Sequence, residues 1–131
     1  MKRLAAPFAI LGAVLLIAAA GLHLAAAAPV EQTLRGSMLS PHMIALLKIV
    51  WLGAALHCIV LAAIAIAAMR LRSAMGSAIL LLCALTPAID AGILVYAVGP
   101  FAESAVLLVA AVALTVAAIA HVQNSGAASH A

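Results

Sequence analysis

Lys48, Trp51 and His57 fall inside one long apolar stretch of this chain, and a carboxylate, Asp90, falls inside the next. An ionisable group at the centre of a membrane helix costs about 2.5–3.5 kcal/mol on insertion scales, so it usually faces protein or water and has a partner. The first question is therefore which of these groups can meet. With a rise of about 1.5 Å per residue, Lys48 lies roughly 8–10 Å below the start of its segment, and Asp90 roughly 10 Å below the end of the following one. The two segments form a hairpin, so the charges share a depth and have opposite signs. A Lys48–Asp90 pair, direct or through water, is the expectation. His23, near the end of the first segment, is within roughly 8 Å of the same boundary. Thr86 is one turn from Asp90, and Trp51 is nearly one turn from Lys48. His23, Lys48, Trp51, Thr86 and Asp90 thus outline a polar pocket open to the outer side, with His42 and Glu103 at its rim.

His57 is the odd one out. Nine residues after Lys48 is about 900° of helix rotation, so the two point in opposite directions. With Lys48 inside the bundle, His57 faces outward, towards a second copy of the chain or a larger membrane-protein partner. The pocket chemistry is that of a site for a small polar ligand, an ion or a proton. The competing reading is a charge pair that fixes helix register in a structural subunit of a larger complex. Lys48 alone can also snorkel to the headgroups.

Other chemistries find less. Bis-histidine haem needs ligands at matched depth on facing helices. Only His23 and His42 come close to that, while His57 is near mid-segment, His121 at the far end and His130 in the tail. No haem or other cofactor is expected, and no metal site: there is no Cys-x-x-Cys, and Met38 and Met43 near His42 make a weak soft-metal pattern. Cys58 and Cys83 read as small buried hydrophobes. No phosphate loop, nucleophile elbow or HExxH is present, so nothing in the spacing demands an enzyme.

The elements that position these groups follow from composition. The chain has 131 residues, 69% hydrophobic and 7% charged, where a soluble domain is about half apolar and a quarter charged. Four apolar stretches approach or exceed the length needed for about 30 Å of hydrocarbon. Helices are expected over about 4–28, 41–69, 74–97 and 100–120, in one transmembrane domain spanning 1–121, with a short loose tail over 122–131. The fold class is all-α: a four-helix transmembrane bundle, up-down-up-down. Ser40-Pro41 is a helix start, a hydroxyl to cap and a ring that suits the first helical position. Residues 29–40 read as the one substantial polar loop, and Gly99-Pro100 as a stop and restart. Small residues at Ala5, Ala9, Ala13, Gly21 and Ala25 make a ridge for close helix approach.

The N-terminal segment also has the plan of a cleaved secretory signal, with a basic start, an apolar run and Ala25-Ala26-Ala27-Ala28 as a cut site. Pro29 directly after that site disfavours cleavage, so a retained helix is expected. Lys2, Arg3, Arg70 and Arg72 cluster at segment ends, against Arg35 and Lys48 on the other side. By the positive-inside rule this places both termini in the cytoplasm of a bacterial-type inner membrane. The net charge of +3 is not gathered on a face with aromatics, so no nucleic-acid partner is expected.

Overall fold

The computed structural model describes residues 4–71 and 73–128, with side chains to residue 123. Lys2, Arg3, Arg72 and His130 lie outside the described residues. The described chain is all-helical: α1 (Ala5–Ala25), α2 (Ala27–Arg35), α3 (Pro41–Ala68), α4 (Ala74–Val98) and α5 (Ala102–Ala128). Four helical stretches are long and apolar enough to cross a membrane: Ala5–Arg35, Pro41–Ala68, Ala74–Val98 and Ala102–Gln123. This is the organisation of a multi-pass membrane protein. The surface agrees with it, since large apolar side chains such as Ile10, Val14, Ile49, Leu82, Ile93 and Val112 stand exposed around the bundle. In water such a belt would drive association.

Local chemistry sets the helix ends. Ser40 accepts a hydrogen bond from the Met43 amide at 3.3 Å, and Pro41 occupies the first turn of α3. Gly99 ends α4 with φ of +90°, a conformation that only glycine adopts without strain. Ser104 then ties the start of α5 back to Phe101, accepting from its amide at 3.2 Å and donating to its carbonyl at 2.8 Å.

Two expected boundaries are corrected. The stretch 29–40 is not mainly loop, because α2 carries the first helix on to Arg35. Pro29 has no amide hydrogen to give the Ala25 carbonyl, so the helix breaks at Ala26 and restarts with the proline in its first turn, where that hydrogen is not needed. Within α2, Arg35 reaches back to Glu31 at 2.7 Å. The second correction is the tail: α5 continues to Ala128, so 122–128 is helical.

α1 packs against α3 and α5, and α4 packs closely on α5 but much less on α3. The closed side is built from small residues. Ala9, Ala110, Ala117 and Ala118 are fully buried, with Leu16, Leu80 and Leu114 filling the space between them. A Cβ on Gly12 would lie 2.6 Å from the Leu114 Cγ. The expected ridge on α1 holds through Ala5, Ala9 and Ala13 and then drifts. Buried positions continue at Leu16, Ala20 and His23, while Gly21 and Ala25 are exposed. A strict four-residue step lags the 3.6-residue turn, and the packed stripe follows the turn.

Candidate functional site

His23 ends the buried stripe of α1 and is only 8% exposed. Its Nδ1 donates to the Glu103 Oε1 across the bundle. Glu103 sits in the first turn of α5, where free amide groups and the helix dipole favour a carboxylate. Trp51 holds the histidine from a third side. Its ring stacks on the imidazole with centroids 4.2 Å apart and planes 21° from parallel. Its indole N–H donates to the His23 carbonyl at 2.8 Å. Three helices, α1, α3 and α5, are joined at this one residue.

A second histidine–carboxylate pair lies where α3 and α4 diverge. His57 Nε2 is 3.8 Å from Asp90 Oδ2, beyond direct hydrogen-bond distance and within reach of a bridging water. Both side chains are well exposed, 47% and 38%, unlike the His23–Glu103 pair at 10% and 11%. The two pairs line one cleft of about 740 Å³. Trp51 and the buried Cys58 line it too, and its apolar walls come from Val50, Ile93, Leu94 and Leu107. Val30 and Leu34 of α2 close one end.

The expected residues divide accordingly. His23, Trp51 and Asp90 do come together. Glu103, expected at the rim, lines the cleft and is bound to His23. His57, expected to face a partner chain, lines the same cleft. The Lys48–Asp90 pair is corrected: Lys48 Nζ lies 2.8 Å from Glu31 Oε2, and Asp90 has His57 as its charged neighbour. Lys48 and Asp90 do not share a depth, because Asp90 lies beside His57, nine residues beyond Lys48 along α3, and α2 gives Lys48 another partner. Folded as a helix, it brings a carboxylate to Lys48 that a loose loop would have left in solvent. Lys48 and His57 remain on opposite faces of α3, both partly exposed at 41% and 47%, and it is the His57 face that lines the cleft. Thr86 donates to the Leu82 carbonyl of its own helix at 3.0 Å and does not line the cleft. His42 is exposed and also does not line it.

Sequence spacing contains the signal for the missed member. Leu47, Val50, Ala54 and His57 recur at three- and four-residue steps, one continuous face of α3, and all four line the cleft. Lys48 is off that face. A groove of about 630 Å³ between α1 and α3, with Ile17 and Ile59 among its walls and Arg70 at its edge, has neither histidine nor carboxylate in its lining. His121 is engaged elsewhere, donating from Nε2 to the Leu71 carbonyl at 2.8 Å. Among the described residues, no three His, Cys, Asp or Glu side chains gather as a metal site would require. The chain matches no family model, no curated protein and no solved structure.

Proposed function

We propose that this protein binds a small ligand, an ion or a proton in a membrane-embedded cleft, as a binding or transport protein of a bacterial inner membrane. One observation carries the reading: two histidine–carboxylate pairs face a single open cleft within apolar helices. Groups that merely lock helices together are expected to saturate one another. The His23–Glu103 pair does this and serves as the tie. The His57–Asp90 pair does not, and it is the pair offered to a ligand. The tie favours a second reading, a structural subunit whose buried pair fixes assembly.

The proposed topology is up-down-up-down with both termini inside. In support, the end of α1 meets the start of α5 through His23 and Glu103, while the turn after α3 meets the end of α5 through Leu71 and His121. Arg70 at that turn, with Lys2, Arg3 and Arg72 in the sequence, gives the inner charge bias.

Trp51 is the sole tryptophan, so its emission reports on the cleft. The test follows that emission in nanodiscs through pH jumps and additions of alkali cations, a quaternary ammonium, a zwitterion and an anion. At least one should give a saturable response. Gly53 lines the cleft, and a Cβ there meets nothing within 4 Å, so Gly53→Leu fills the cleft without disturbing the core and should abolish the response. No saturable response, or the same response in Gly53→Leu, would overturn the reading in favour of a structural subunit.

A further inference from the structure

The charged side chains lining the cleft are Asp90, Glu103, His23 and His57. Among the described residues, no lysine or arginine joins them. Lys48, the nearest permanent cation on α3, is turned to Glu31 at 2.8 Å, and Arg35 of α2 is on the same carboxylate at 2.7 Å. The other titratable group in the lining is the buried Cys58 thiol, while Cys83 and Tyr96 of α4 and His121 of α5 do not line the cleft. Every cationic charge the cleft can carry is therefore a proton on a histidine. Two carboxylates thus stand among apolar walls, Glu103 buried against His23 and Asp90 half-exposed beside His57, with no permanent cation among the described lining residues. The species that completes such a cleft is a cation.

The walls decide which kind. A metal ion needs several oxygen or nitrogen ligands, and the described residues gather no group of three. Val50, Leu94 and Leu107 instead present hydrocarbon. The Trp51 ring adds an aromatic group of the sort that attracts organic cations. A volume of about 740 Å³ lies within the roughly 300–1,000 Å³ typical of small-molecule sites.

We infer that the cleft takes an amphipathic monovalent organic cation in exchange for a proton held on His57. This rests on the ligand-binding reading of the cleft. One cation enters and one proton leaves, so the net charge of the cleft is unchanged. Binding of the cation and of the proton are then reciprocally linked.

The experiment titrates the purified protein in a neutral detergent with tetraphenylphosphonium, with its anionic match tetraphenylborate, and with neutral triphenylphosphine oxide, following Trp51 emission. Tetraphenylphosphonium should bind saturably and the other two should not. Its apparent affinity should fall as the pH is lowered, because a proton competes for the same pair. Asp90→Asn and Glu103→Gln should weaken it; the half-exposed Asp90 supplies a variant that folds even where the buried Glu103 does not. His57→Gln should retain cation binding with a flatter pH profile. Saturable binding of the anion or the neutral probe at equal strength would overturn the cation assignment and leave the cleft as a ligand site. So would unchanged affinity between pH 8 and 5. Silence towards all three probes overturns the assignment too, and silence in the wider emission screen as well would sink the ligand-binding reading with it.

Discussion

Two seams of the same bundle are built from nearly the same alphabet and behave differently. Where α5 meets α1 and α4, alanine and glycine let the backbones approach closely, and Leu80 and Leu114 are wholly buried. Where α3 meets α4, contact is sparse and a cleft remains. Hydrophobicity does not separate them, because lipid is as apolar as leucine and gives little drive to either seam. Side-chain size and polarity do. Gly12 sits where a Cβ would lie 2.6 Å from the Leu114 Cγ of α5, whereas nothing lies within 4 Å of the Cβ position at Gly53, which lines the cleft. His57 and Asp90 stand at the loose seam, too large and too polar to interdigitate. Small residues close one side of the molecule, and ionisable ones hold the other open.

The contrast can be broken most severely at Gly76. A Cβ there would press on the Leu71 carbonyl, would lie 2.8 Å from the Ala68 carbonyl and 2.9 Å from the His121 ring. Two of these are backbone and cannot swing away. Gly76→Ala should cost about 3 kcal/mol, the upper end for overpacking, read as a large drop in the thermal midpoint in detergent. Retention of wild-type stability would mean that the start of α4 is not close-packed against the α3–α4 turn and His121.

A middle-sized effect should distinguish the two histidine–carboxylate pairs. Glu103→Gln disturbs a buried, engaged pair and should destabilise by about 1–3 kcal/mol. Asp90→Asn, at the open seam, should change stability by no more than about 0.5 kcal/mol. Equal losses would make both pairs structural. The smallest effect is expected at Gly92, on the open surface of α4. There Gly92→Ala should stabilise by about 0.5–1 kcal/mol through helix propensity alone, measured by the same unfolding midpoint.

Much of this architecture is legible in the chain itself. The Ser40-Pro41 start and the Gly99 stop place the second and third spans within a residue or two of their observed limits, while the first and last helical stretches run on past their expected ends, to Arg35 and Ala128. Depth and azimuth are less so. The rise per residue sets Asp90 level with Lys48, whereas the structure places it beside His57, nine residues further along α3. Which face of α3 lines the cleft depends on what its neighbours present, and the helical α2 supplies Lys48 with a partner of its own, Glu31. Nothing local reveals that helix, because a proline after four alanines reads as a break. Glu103 escaped for a related reason. Its place in a first helical turn explains it fully without a partner, and only the drift of the α1 stripe brings His23 to it.

The walls of the cleft are also part of the molecule's perimeter: Val50 is 69% exposed and Ile93 59%, and both line it. In a membrane bundle, an opening made of such residues faces the acyl chains. On the proposed ligand-binding reading, a solute that dissolves in that layer would arrive already concentrated by its own oil–water partitioning, and binding would follow membrane composition as much as bulk concentration.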